Sequence, residues 1–180
     1  LKISTSTLQL LQSQYAHENH NQFIYSRLAT WCDFYGMTGT ASFLRKQAKG
    51  EADHAEKVLS FIVARNEQLT DTLPLYEQPK PSNFRNCFEI LYDREVLTTE
   101  KLSGIYKQAV VEYDTLTAQW LMSDSGLLKE QVEEENTIQT ILDRIDARMN
   151  MSLSVSVEPI SQAPDSGGAL HDLDAFIGGL

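Results

Sequence analysis

The chain is poor in the residues that mark several common functional classes. It has two cysteines, Cys32 and Cys87, and no C-x-x-C spacing. Zinc ribbons and rubredoxin-like iron sites are thereby excluded, and no disulfide framework is available, which makes a reducing compartment the default. Basic residues are in the minority: 15 Lys and Arg against 25 Asp and Glu leave a net charge of −10. That balance argues against nucleic-acid binding, which needs a basic face, and suits solubility and the attraction of cations. No apolar run approaches membrane length, and the N-terminal segment is polar and lacks a signal-peptide core. The expectation is a cytoplasmic protein, off the membrane, whose 180 residues form one domain with a proper core.

Proline is also scarce, and its five copies fall in two stretches. Pro74, Pro79 and Pro81 lie in a segment of about 67 to 82, which they bar from helix. Pro159 and Pro164 lie in a Ser- and Gly-rich segment, 151–168, which reads as a linker. Elsewhere apolar residues recur at alternating spacings of three and four, the buried stripe of a helix. The first helix, about 5 to 34, carries Leu8, Leu11, Tyr15, Tyr25, Ala29 and Cys32, with Ser4 to Thr7 as capping residues ahead of it. A turn at Tyr35 to Gly39 leads to a second helix, about 39 to 66, with Ala41, Leu44, Ala48, Ala55, Val58 and Ile62. A third, about 83 to 112, shows Phe84, Phe88, Leu91, Leu102, Ile105 and Ala109. The fourth spans about 115 to 148, with an irregularity expected at Ser123 to Gly126. Residues 169–177 could form a short amphipathic helix, which needs a partner to be stable. A helix of about 28 residues is roughly 42 Å long, and an extended segment of about 16 residues spans roughly 53 Å. The proline segment can therefore return along the full length of the bundle. The predicted architecture is all-α: a four-helix bundle, residues 1–150, with a long crossover between helices two and three, then the linker and a C-terminal helix or docking segment, 169–180.

Each of the four stripes is interrupted by polar residues at core phase. They are Glu18 on the first, Glu51 with His54 on the second, Glu95 on the third, and Glu134 with Gln131 on the fourth. Residues three apart on a helix share a face, so Glu51 and His54 can grip one metal ion. On the fourth helix two phases compete. Leu127, Gln131, Glu134, Ile138 and Ile141 form the apolar one, so Gln131 and Glu134 are expected inside, while Glu130 and Glu133 belong to a frame expected to line a wet surface. Buried acids are normally paired or bound to metal, and no Lys or Arg occupies these stripes. An oxygen-rich set with one imidazole suits iron or manganese better than structural zinc.

Over about residues 5 to 148, and more loosely over 169 to 180, the chain resembles the non-haem ferritins of prokaryotic type, members of the ferritin-like di-iron carboxylate proteins. The segments that carry the resemblance are Tyr25 to Cys32, Ala41 to Arg45 with Glu51 to His54, and Glu130 to Glu135. The resemblance implies a ferroxidase centre in which Glu18, Glu51 and His54 hold one iron and Glu51 bridges to a second held by Glu95 and Glu134. Gln131 corresponds to a supporting glutamine and Tyr25 to a neighbouring tyrosine. It further implies oxidation of Fe(II) by dioxygen or peroxide, two irons per subunit, and storage of the ferric mineral in a hollow homo-oligomeric shell, commonly of 24 subunits. Carboxylates are hard ligands that stabilise ferric over ferrous iron, which agrees with that chemistry.

Departures from the family pattern carry their own expectations. Bacterioferritins have a second E-x-x-H on the fourth helix, where this chain has Gln131 and Glu134, and Ala52 stands where their haem-ligating methionine is expected, so no haem is expected. A third iron site would use an acid just before the bridging glutamate. That position is Gly50, although Glu130 and Glu133 remain as additional or transit sites. Extra residues near Ser123 to Gly126 fall where threefold channels form, which alters the expected route of iron entry. His17 and His20 are expected to point off the Glu18 face, Cys32 and Cys87 to be buried thiols, Trp31 and Trp120 to be core or contact residues, and His171 to lie on the surface or in a channel. Two other readings fit the sequence: a shell-forming or cargo protein with a structural metal site and a C-terminal docking peptide, and a di-iron enzyme acting on an organic substrate, for which no pocket is evident.

Overall fold

A computed structural model describes residues 2–70, 73–123, 126–155 and 168–180. Its helices are α1 (Thr5–Phe34), α2 (Thr38–Ala64), α3 (Phe84–Val111), α4 (Thr115–Met122), α5 (Leu128–Val155) and α6 (Ala169–Gly178), with no strand among the described residues. Their starts follow the capping chemistry of the sequence. Ser4 accepts from Thr7 N at 3.0 Å, Asn83 from Asn86 N at 2.8 Å and Asp114 from Thr117 N at 3.2 Å. The α1–α2 turn depends on Gly36, whose φ of +77° lets Met37 N close back on Cys32 O at 2.9 Å.

The fourth bundle helix is two helices. The irregularity expected near residue 123 ends α4: Ser123 N and Oγ both bond Trp120 O, and Gly126 N bonds Ser123 O at 2.9 Å. A Cβ at Gly126 would lie 2.0 Å from Trp120 O, so glycine is what allows the chain to fold back this tightly. Arg65 and Phe61 fasten α4 to the end of α2: Arg65 forks onto Asp114 at 3.1 Å and donates to Thr117 Oγ1 at 2.9 Å, and Trp120 stacks on Phe61 with centroids 4.1 Å apart. α5 runs on to Val155, past the end expected at about 148; the remainder of the serine-rich linker, 156–167, lies outside the described residues.

The crossover between α2 and α3 runs beside α1. Thr70 N and Oγ1 donate to Gln12 Oε1 at 2.7 and 2.8 Å, and Tyr76 donates to Ala16 O at 3.0 Å while stacking on His20. At the other end, α6 folds onto its own chain. Leu173 and Ile177 are buried with Met37, Ala41 and Ile145, and Asp174 accepts from Gly39 N and Thr40 N at 2.9 and 2.6 Å, capping α2 from outside. Burying two such aliphatic side chains contributes roughly 1.5–3 kcal/mol each, which is what a ten-residue helix needs to persist.

The apolar core is divided into two masses. One, around Leu28, Leu44, Phe88 and Ile141, fills the α6 end; the other, around Leu11, Ile62, Ile105 and Leu127, fills the α4 end. On every long helix the residues between the two masses are polar: Glu18 and Asn21, Glu51 and His54, Glu95 and Thr98, and Gln131. The stripes that the sequence shows interrupted are interrupted at one level, and a polar belt crosses the middle of the bundle.

Candidate metal centre

At that level the chain brings acids together without an equal number of cations. Glu18, Glu51 and Glu95 are almost fully buried, at 0%, 4% and 1% exposure. Ligand atoms of Glu18, Glu51 and His54 lie within 4.8 Å of one another. Glu18 Oε1 accepts from Gln14 Nε2 at 2.6 Å, but no donor reaches its buried Oε2. Two ionised acids at this spacing repel, so a proton or a cation has to lie between them. Burial, then the charge of Glu51 and a hydrogen bond with it, hold Glu18 well above the usual carboxylate range, against the pull of His54 and Gln14. Burial followed by the charges of Glu95 and Glu134 does the same to Glu51, against hydrogen bonds from Glu18 and Asn21.

Glu95 is held by two donors. Tyr25 donates its hydroxyl to Oε1 at 2.5 Å, and Gln131 Nε2 donates to Oε2 at 2.8 Å. Burial raises Glu95, and these two bonds, with His54 and Arg94, oppose the rise. Burial also raises the Tyr25 hydroxyl well above its ordinary value, with the Glu95 and Glu51 charges adding to it, so it remains a donor. Tyr25 and Gln131 thus orient the carboxylate and leave it free to ligate.

His54 joins this group to a second one. Its Nδ1 lies 3.9 Å from Glu51 Oε2, while its Nε2 lies 2.8 Å from Glu130 Oε2 and 3.6 Å from Glu134 Oε1. Lys57 Nζ bonds the other Glu130 oxygen at 2.8 Å. Burial pushes Glu130 up, but the hydrogen bonds and charges of Lys57 and His54 outweigh it and leave Glu130 below its ordinary value. An ionised carboxylate only accepts, so His54 Nε2 carries a proton, and Nδ1 is the ring nitrogen that faces Glu51. A carboxylate fixing the tautomer of a candidate ligand histidine in this way is a recurrent feature of metal sites. Glu134 is half-buried and raised to about 7, mainly by burial and the charges of Glu95, Glu18 and Glu130, with His54 opposing.

Glu18, Glu51, His54, Glu95, Glu134, Gln131 and Tyr25 therefore all stand on the belt or at its edge. Glu133 is exposed, as its phase predicted. Glu130 is a correction: assigned to the wet frame, it reaches His54 because its side chain sits at the boundary of the apolar face, where Lys57 and His54 draw it in. His17 points off the Glu18 face, as expected, but is buried there, bonding Thr98 Oγ1 at 2.8 Å. Burial first, then Arg94, Lys101 and His20, push its imidazole down to about 3. Arg94 is a second correction. No stripe contains it, yet its half-buried guanidinium reaches inward to Asn21 and His17 and offsets part of the negative charge. Cys32 and Cys87 are buried free thiols.

The donor set fits iron: hard carboxylate oxygens, one imidazole, and a buried oxygen without a partner. Helices that turn carboxylates and a histidine into the middle of a bundle with one long crossover define the ferritin-like class. A family model described as a ferritin-like domain matches residues 8–148, and the chain belongs to the ferritin family. It is 30% identical over 148 residues to a bacterial non-heme ferritin of Staphylococcus haemolyticus, covering 80% of this chain and 85% of that one. To a bacterial non-heme ferritin of Escherichia coli O6:H1 it is 28% identical over 148 residues, covering 77% and 82%. Among solved structures, an open pore ferritin from the archaeon Archaeoglobus fulgidus superposes with a TM-score of 0.81 over 98% of both chains at 24% identity. At that identity the likeness speaks for the fold. No helix among the described residues is long and apolar enough to cross a membrane.

Proposed function

We propose that this ferritin oxidises Fe(II) to Fe(III) at a two-iron centre within each subunit and stores the ferric product in a hollow shell of 24 copies. The observation that carries the reading is the buried Glu18–Glu51–His54 cluster, whose Glu18 Oε2 has no donor; burial and neighbouring acids also raise both carboxyls. Fe(II) is the substrate. Glu18, Glu51 and the Nδ1 of His54 would take one ion; Glu51, Glu95 and Glu134 would take the other. As the ions enter, the carboxylates give up their protons, and anionic oxygen donors then favour the ferric state. Two Fe(II) supply two electrons; dioxygen accepts them with two protons to give hydrogen peroxide, and peroxide accepts two electrons with two protons to give water. Gln131 and Tyr25 keep Glu95 oriented throughout. Relatives named bacterial non-heme ferritins support both the activity and a cytoplasmic setting, and the two buried free thiols suit a reducing compartment.

The C-terminal segment fits this reading better than that of a docking peptide, because α6 spends its apolar residues Leu173 and Ile177 on its own bundle. The deciding experiment adds Fe(II) to metal-free protein in air and follows the rise of ferric absorbance. The wild type should oxidise rapidly, and Glu51→Ala should fall to the rate of iron in buffer. An unchanged rate in Glu51→Ala would sink the assignment. Light scattering on the size-separated, iron-loaded protein should give the mass of a 24-subunit shell.

A further inference from the structure

Arg94 projects from α3 one residue before Glu95, on the side of the belt that faces α1. An arginine has donors and no acceptor, so the direction of its hydrogen bonds is fixed. Nε donates to Asn21 Oδ1 at 2.8 Å, and Nη2 donates to His17 Nδ1 at 2.9 Å. The rest of the circuit follows. With its carbonyl engaged, Asn21 turns its NH2 group toward Glu51 Oε2 at 3.2 Å and Thr98 Oγ1 at 3.1 Å. With Nδ1 accepting, His17 carries its proton on Nε2 and donates to Thr98 Oγ1 at 2.8 Å, while the Thr98 hydroxyl donates to Arg94 O at 2.9 Å. Each donor meets an acceptor. Reversing the Asn21 amide would set its NH2 group against the guanidinium, so Arg94 opposes the flip and holds the NH2 group toward Glu51.

We infer that Arg94 is a positioning residue for the metal centre: acting through Asn21, it holds the Glu51 carboxylate in the orientation from which Glu51 bridges two metal ions. This rests on the two-iron reading above. Asn21 and Thr98 are nearly inaccessible, at 1% and 2% exposure, so the bonds from Asn21 to Glu51 and Thr98 are shielded from bulk solvent. Arg94 could instead serve only as a nearby positive charge, and the two roles predict opposite signs. A charge that merely opposes the acids weakens cation binding, so its removal tightens binding. A residue that presents Glu51 strengthens binding, so its removal loosens it.

Cobalt(II), titrated anaerobically into the assembled, metal-free protein, reads that sign, and its visible absorption reports the coordination geometry. The wild type should take two ions per subunit. Arg94→Met should bind about tenfold more weakly with altered bands, within the range typical of residues that orient metal ligands. Arg94→Lys should recover part of the loss. Asn21→Leu should reproduce the defect, and the double variant should be no worse than either single one, because both changes break the same connection. Equal or tighter binding by Arg94→Met with unchanged bands overturns the inference, as do additive losses in the double variant. Should Arg94→Met fail to assemble, Asn21→Leu decides by the same criterion. A wild type that takes up no cobalt overturns the two-metal reading and this inference together, whereas a wild type that binds two ions beside an unaffected Arg94→Met overturns this inference alone.

Discussion

The two sides of His54 make opposite use of acidic residues. On the Nδ1 side, Glu18 and Glu51 are buried, and both are held above their ordinary range by burial and by neighbouring acids, Glu51 acting on Glu18, and Glu95 and Glu134 acting on Glu51. On the Nε2 side, Glu130 keeps 39% of its side-chain exposure, is paired with Lys57, and is lowered. Between them stands one imidazole whose Nε2 is held by the exposed side and whose Nδ1 faces the buried one. The difference follows from what each acid can find. A carboxylate near solvent can recruit a lysine and a share of water, and it ionises. A carboxylate in the belt has amides, the Tyr25 hydroxyl, His54 and other acids around it but no lysine, and burial favours its protonated form. The buried side is therefore built to bind, and the exposed side to hold the ligand that does the binding.

The largest effect expected from breaking this arrangement is at the shared residue. His54→Ala removes a ligand from the buried side and the partner of Glu130 from the other. Fe(II) oxidation should slow on the order of 100-fold, at or beyond the upper range seen when only a supporting residue is lost. Stopped-flow absorbance measures it, and a loss of a fewfold would mean that Glu18, Glu51, Glu95 and Glu134 suffice without the imidazole.

The next effect separates the two sides by pH in the metal-free protein. Glu18 and Glu51 are raised and Glu134 stands at about 7, against an ordinary value of 4.5. Above 4.5 and up to those raised values the folded protein holds protons that the unfolded chain has released, so stability falls as pH rises through that window. Each extra proton held is worth about 1.4 kcal/mol per pH unit, or roughly 3–6 °C in Tm for a chain of this size. Glu130 has the opposite sign: lowered in the fold, it stabilises above its ordinary value and loses that contribution in acid. The buried side should dominate, giving a Tm higher at pH 5.5 than at pH 8 by scanning calorimetry. Glu18→Gln should flatten the slope and raise the Tm at pH 8. A slope of the reverse sign in the wild type would show that the belt acids are ionised without metal.

Most of the fold and the acids of the belt were legible because helical phase reports which face is buried. Glu18, Glu51, Glu95 and Gln131 each interrupt an apolar stripe near its middle, where buried neighbours on both sides leave the side chain only the core to point into. Phase fails for long side chains at the edge of a face. Glu130 is assigned to the wet frame by position, but three flexible torsions let it reach back to His54 and Lys57. Arg94 is the same failure on α3: out of phase with every stripe, it still carries its guanidinium to Asn21 and His17. His17 lies outside the stripe phase of α1, and only the approach of Arg94 and Thr98 encloses it, a tertiary fact with no local signal. The end of α4 was visible as Ser123 to Gly126, but not that Gly126 would pack within reach of Trp120 O and divide the helix.

The smallest effect tests whether the exposed side does more than orient. Glu130→Gln keeps an acceptor for His54 Nε2 and removes only the charge that pairs with Lys57. A half-exposed ion pair is worth under about 1 kcal/mol, so the initial rate of Fe(II) oxidation should change by no more than about fivefold. Glu133→Gln, on the neighbouring exposed position, should leave that rate where it was. Glu130→Ala takes the acceptor away as well, frees the imidazole to rotate or change tautomer, and should cost about tenfold in the same measurement. The ratio of the alanine to the glutamine effect isolates orientation from charge. If Glu130→Gln were as damaging as Glu130→Ala, the negative charge itself would be what iron meets on that side, and the division of labour across His54 would have to be abandoned.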